Sequence, residues 1–230
     1  MVKPFVRCCV VLAALSVIAC SRSSGPSTPD ASATTAAAPK KPPRPRPTPA
    51  AGETPADVKA SKIVLTTIKD RDTTSPVMIT IPLFDGAATL SGTGSARLVF
   101  DLDTIETGIP LRNERVRLVF FETTSVGWDT IEIAVPQIPA PVLAAIKDKR
   151  KATVVKLDAK VKLHGKESAV PLVVDVTREG ERVIVKSAAP IEVKISELGL
   201  TDNLRRLSAL CMHDSIDDVV KIDATIELAP

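Results

Sequence analysis

The chain is predicted to hold an all-β domain of antiparallel strands with one or two short helices, closing as a barrel or a sandwich. Three observations carry this. From Lys59 onward, apolar and polar side chains alternate in about nine short runs, the period of strands half buried on one face. Turn residues punctuate the runs, and only two stretches show helical spacing.

The N-terminus has a different texture. Lys3 and Arg7 precede a run of 13 weakly polar to apolar residues from Cys8 to Cys20. That is short of the roughly 20 that a helix needs to cross the hydrocarbon core, so it reads as a signal peptide rather than a span. The run ends Val17-Ile18-Ala19-Cys20, which resembles the lipobox of bacterial lipoproteins. The resemblance implies that residues 1–19 are removed and that Cys20 carries acyl chains such as palmitate. A plain signal peptide or a short anchor helix is the alternative. Each buried methylene contributes about 0.8 kcal/mol and one chain holds only marginally, so the several chains of such lipoproteins give stable retention. Ser21 follows the cysteine where an aspartate retains some lipoproteins in the inner membrane, which favours the outer membrane, facing the periplasm. With Cys8 and Cys9 in the signal and Cys20 acylated, Cys211 is left alone and no internal disulfide is expected.

Residues 20–56 are read as the lipidated cysteine and a tether. They are mostly Ser, Thr, Ala, Pro, Gly and basic side chains, densest in proline at residues 39–47. Without bulky apolar residues such a segment cannot offset the entropy of ordering, and it is expected to be a disordered, locally extended spacer.

The domain proper is assigned to residues 57–230. Its runs are Ile63 to Thr67, Leu98 to Leu102, Val116 to Phe120, Ile131 to Val135, Val155 to Leu163, Val170 to Val176, Val183 with Val185, Ile191 to Ile195, and Val220 to Leu228. Turns are placed at Asp85-Gly86, Ser91-Gly92-Thr93-Gly94, His164-Gly165 and Glu179-Gly180-Glu181. Helices are expected over 140–150, where Val142, Leu143 and Ile146 share a face, and over 202–211, with Thr201 or Asp202 as its cap.

Aromatic residues are 3% of the chain and tyrosine is absent, so the core is expected to be aliphatic. Of the net charge of +3, the signal carries +2 and the tether +3, which leaves the domain at about −2, nearly neutral, and gives no support for a nucleic-acid partner.

One stretch of the domain resembles a known family. Leu98-Val99-Phe100-Asp101-Leu102-Asp103-Thr104-Ile105-Glu106-Thr107-Gly108, then Leu111-Arg112-Asn113-Glu114 and Phe120-Phe121, resemble the strand, Thr-Gly turn, Arg-Asp pair and double phenylalanine of the YceI-like domain. Leu163-His164-Gly165 with Val170-Pro171-Leu172, residues 195–200 and Asp217 to Ile222 are similar to its later elements. The resemblance spans roughly Ala60 to Leu228. It implies a lipocalin-like antiparallel barrel of eight strands, with an apolar channel that in some members holds a polyisoprenoid chain. Asn113 replaces the family's usual aspartate, and the aromatics that often line the channel are largely missing. Together, alternation and resemblance place Phe100, Leu118, Phe120 and Val174 inward as ligand-binding positions, with Arg112 near the mouth. Alternation alone is equally compatible with a solid aliphatic core.

Other chemistry is weakly supported. Cys211 and His213 make a close thiol and imidazole, but two ligands do not make a zinc site, and a buried thiol beside a loop histidine accounts for them. His164 and His213 carry no haem motif. Asp101 and Asp103, two apart on an expected strand, read as a solvated edge rather than a cation site. Residues 91–94 lack the pattern of a nucleophile elbow or a phosphate loop. Arg112 with Glu114 reads as a loop ion pair, and Trp128 as a core residue. No catalytic residue, metal or cofactor is assigned. The leading expectation is a membrane-tethered, non-enzymatic binding protein for an apolar lipid or isoprenoid. A structural or interaction module of the envelope comes second, and an enzyme using Cys211 and His213 third.

Overall fold

Ten strand segments close into an antiparallel barrel of eight staves. The computed structural model describes residues 44–149 and 152–229, without the side chains of residues 152 and 153. The signal segment, Cys20 and the tether up to residue 43 lie outside the described residues. β1 (Glu53–Pro55) and β2 (Lys62–Thr67) pair in succession with β3 (Val77–Thr89), and so form one interrupted stave. β3 pairs with β4 (Ser95–Asp101), then come β5 (Thr130–Val135), β6 (Ala152–Leu163) and β7 (Lys166–Glu179). β8 (Arg182–Ser187) and β9 (Ile191–Lys194) pair in succession with β10 (Val219–Leu228), a second interrupted stave, and β10 returns to β2. The closed ring is of the lipocalin-like kind that the resemblance implies.

Closure follows from the period-2 pattern. In β10, Val220, Ile226 and Leu228 are buried while Val219 and Lys221 are exposed. Each fully buried aliphatic side chain contributes about 1.5–3 kcal/mol. A one-residue slip would turn that face to water, so the pattern also fixes register. The His164-Gly165 turn has positive φ at both positions (54° and 75°), which the commonest two-residue hairpin requires.

Helices close the two ends. α2 (Ala140–Lys147) buries Val142 and Ile146 at the end that holds the β3–β4 and β7–β8 hairpins. At the opposite end stand α1 (Pro110–Arg115), a π-helical turn over Val116–Phe120, and α3 (Thr201–Leu210). α2 and α3 are the two helices that the spacing predicts. No side chain caps α3, however: Leu200 holds the cap position, and neither Thr201 nor Asp202 does.

Three other expectations are corrected. Val116 to Phe120 is helical, not a strand. A spacing of four fits two strand repeats as well as one helical turn, and Val116 and Phe120 are buried either way. Pro110 at the helix start settles the ambiguity, since its fixed φ suits a first turn. Asp85-Gly86 is not a turn but a bulge inside β3, a strand absent from the sequence expectation. The register shifts between Leu83 and Asp85, and a Cβ on Gly86 would meet Leu98 Cδ2 at 2.8 Å, so glycine admits the close approach of β4. Asp101 and Asp103 do not share a strand face: Leu102–Thr104 is a 3-10 turn capped by the Asp101 carboxylate, which accepts from the Asp103 N–H at 2.9 Å.

Part of the stretch read as tether packs against the barrel. Glu53–Pro55 is β1. Arg44 reaches Asp129 at 2.5 Å, and the Arg44 and Arg46 guanidinium groups lie 5.6 and 5.5 Å from the Phe84 ring centre. Phe84 is the bulged residue of β3, which turns this aromatic outward.

Candidate functional site

The barrel encloses a cavity of about 190 Å³. Inward side chains from β2 through β10 line it, and Ser187 is the one polar residue among them. Because the alternating positions carry Val, Ile, Leu and Ala where aromatic rings would fill the bore, the staves leave space along the axis. Engineered apolar cavities of about 150 Å³ stay dry and admit benzene, so an apolar chain suits this one better than water does. Leu172, Val174 and Val176 on β7 and Val183 and Val185 on β8 supply one wall, and Ile131, Ile133 and Val135 on β5 supply another. Val142 and Ile146 of α2 form the floor, a role the helical spacing carried without announcing.

Phe120 and Phe121 stand at the other end, edge to face with ring centres 4.7 Å apart. Their backbone is pinned from α3, where buried Asn203 donates from Nδ2 to the Phe120 carbonyl at 2.8 Å. Glu122 accepts from Arg206 at 2.6 Å and pairs with His164 Nε2 at 3.0 Å. The His164 ring stacks on Trp128 at 3.6 Å. Trp128 therefore clasps the β6–β7 hairpin instead of packing in the core. The Arg206 hydrogen bond holds the Glu122 carboxyl below its usual range, with Asn203 and His164 assisting against desolvation. Burial, by contrast, raises Asp101.

Of the sequence-assigned positions, Phe100, Phe120 and Val174 line this cavity. Leu118 does not; it is half-buried in the π-helical turn, off the face that Val116 and Phe120 present inward. Arg112 lines a second cavity of about 80 Å³ beneath α1 and α3. Arg112 and Glu114 form no loop ion pair; two residues apart on α1, they point to different faces. Asn113, the departure from the family pattern, accepts from the Thr107 N–H at 2.8 Å and the Thr107 hydroxyl at 2.6 Å. An amide oxygen thus fastens the Thr107-Gly108 turn.

Cys211 and His213 also line the second cavity, each engaged elsewhere. Arg115 Nη1 lies 3.6 Å from the thiol, and His213 Nδ1 lies 2.8 Å from Asp70. Burial pushes the Asp70 carboxyl up, but hydrogen bonds from Ser215, His213 and Asp214 outweigh it and leave it below its ordinary value. Among the described residues no three His, Cys, Asp or Glu side chains converge on a metal position. Sequence reasoning missed Thr67 and Lys69, which line this recess where β2 ends; a strand terminus carries no signal of what folds over it.

A closed eight-stave barrel with an aliphatic bore and helical end caps defines a lipocalin-like class. The YceI-like domain model matches residues 56–228, and the chain belongs to that family. Among solved structures it is similar to a polyisoprenoid binding domain from Saccharophagus degradans implicated in plant cell wall breakdown. That match has a TM-score of 0.66 at 24% identity, over 78% of this chain and 99% of that one. It is also similar to BcnA of Burkholderia cenocepacia, with a TM-score of 0.58 at 16% identity, over 76% and 99% of the two chains. At these identities the likeness is one of fold. No curated protein matches the chain.

Proposed function

We propose that the protein is a membrane-tethered periplasmic binding protein that shelters an apolar lipid or polyisoprenoid chain inside its barrel, and that it is not an enzyme. The observation that carries the reading is the 190 Å³ cavity with a single polar lining residue. Burying apolar ligand surface there gains about 25 cal/mol per Å², while water would find almost no partner. A similar fold in a polyisoprenoid binding domain supports the same ligand class. The lining supplies no acid, base or nucleophile beyond the Ser187 hydroxyl, which supports binding over turnover. Acylation of Cys20 would hold the domain at the outer membrane, at the end of the Pro-rich tether. Native mass spectrometry of the protein purified from its host envelope tests the reading. A retained apolar molecule, or uptake of an added polyisoprenol, supports it. Failure of both overturns it in favour of a structural or interaction module.

A further inference from the structure

Exposed apolar side chains are ordinary one at a time, but their segregation to one end of a barrel is not. Among the described residues eight large hydrophobic side chains are exposed, and only Val154 lies toward the α2 end. The others gather where α1 and α3 stand, and Met212, directly after α3, is 92% exposed. The backbone brings them together. Thr80 and Glu106 exchange both N–H···O bonds, at 2.8 and 2.9 Å, which carries Met78 toward Gly108, just ahead of Ile109 and Leu111. Leu111 and Arg115 lie four apart on one face of α1. Arg115 Nη1 is 3.6 Å from the Sγ of Cys211, which stands between Leu210 and Met212. An apolar surface thus runs from the start of β3 over α1 to the end of α3. The exposed charges around it are of both signs, Arg71 and Arg205 with Glu106 and Glu114, so apolar burial rather than a field of one sign holds whatever covers it.

The path of the chain points to the partner. β1 pairs with Ala87 to Thr89, beside the β3–β4 hairpin at the α2 end. Ahead of β1 the chain runs back along the outer wall. Arg46 lies over the Phe84 ring, and Arg44 pairs with Asp129, whose carbonyl accepts from the Leu102 N–H at 3.0 Å just past the end of β4. The first described residue therefore stands toward the end that carries α1 and α3. We propose that the apolar surface of this end rests on the lipid surface to which Cys20 anchors the chain, so that the barrel stands on the membrane by α1 and the end of α3 with α2 facing away. The inference rests on acylation of Cys20, part of the function proposed above. Residues 20–43 can span at most about 80 Å, so the lipid surface stays within reach of the domain. Tethering makes docking an intramolecular event, and a contact too weak to form between free partners suffices.

The acylated protein is placed on phosphatidylcholine vesicles with one environment-sensitive maleimide fluorophore, at Met212→Cys or, as the control, at Val154→Cys, each combined with Cys211→Ser. The expected result is a blue-shifted emission at position 212 that brominated lipid quenches, while the label at 154 keeps its aqueous emission. Leu111→Glu/Leu210→Glu, at two exposed positions, abolishes the shift at 212 although the protein still floats with the vesicles. An aqueous 212 label on floating protein, equal shifts at 212 and 154, or a shift that survives the double substitution overturns the docking face and leaves the tethered reading standing. A shift that appears without vesicles and grows with protein concentration assigns the face to a second copy of the chain and overturns the membrane contact. Protein that does not float with the vesicles overturns the tethered reading, and this inference with it.

Discussion

Replacing Val174 with tryptophan separates a hollow barrel from a solid one. Val174 is 4% exposed, lies opposite Val155 and Ser187 on its neighbouring strands, and lines the 190 Å³ cavity. A cavity of about 150 Å³ admits the six carbons of benzene, so this one has room for the roughly seven heavy atoms that the substitution adds. In a solid core the same insertion would force side chains off their rotamers at a cost of about 1–3 kcal/mol. For a domain of this size each kcal/mol shifts Tm by roughly 2–4 °C, so overpacking would lower it by about 2–12 °C. The hollow barrel predicts a Tm within a degree or two of the parent and loss of the retained apolar molecule. The assay is calorimetric melting alongside native mass spectrometry of parent and variant. A Tm depressed by several degrees, with no ligand in either protein, refutes the reasoning.

Four further outcomes are expected. Cys20→Ala abolishes labelling by radioactive palmitate, and undiminished incorporation would refute acylation at that position. Gly94→Ala destabilises the domain by about 1–2 kcal/mol from its positive φ, measured by urea unfolding. It costs more than Gly92→Ala, because the new Cβ meets Ile138 and Leu143 at 3.0–3.1 Å while at Gly92 nothing lies within 4 Å. Glu122 is held below its ordinary carboxyl range in the folded state, so its contribution is complete above the unfolded value of about 4.3 and is lost as pH falls through the folded value. Glu122→Gln accordingly flattens the acid side of a Tm-against-pH profile, and an unchanged profile would count against the clasp. Cys211→Ser leaves ligand binding close to normal; abolished binding in a protein with an unchanged circular dichroism spectrum would show the thiol to be essential.

The strands that the sequence revealed are those with one wet and one dry face. β5, β7 and β10 each carry an unbroken alternation, and β6 carries one from Val155 to Leu163, beyond the register shift between Ala152 and Val155. β3 escaped notice for a local reason: its alternation changes phase at the bulge after Leu83, and Asp85-Gly86 mimics a hairpin turn at that point. Asp85 is compatible with a buried position because Arg97 on the adjacent strand neutralises it, a partner that local sequence cannot name. Val116 to Phe120 failed for the opposite reason, since two periodicities agreed on the buried residues and differed only on Leu118.

Chain order thus fixed the all-β class, the hairpins at His164-Gly165 and Glu179-Gly180-Glu181, the two longer helices and the aliphatic character of the interior, because each depends on neighbours within a few residues. Whether that interior is hollow depended on the sum of side-chain volumes around a closed ring, to which every stave contributes. The same holds for the separation of Arg112 from Phe100, Phe120 and Val174. α1 and α3, about ninety residues apart in the chain, meet over the mouth and enclose a space of their own, and long-range packing of that kind leaves no periodic trace in either segment.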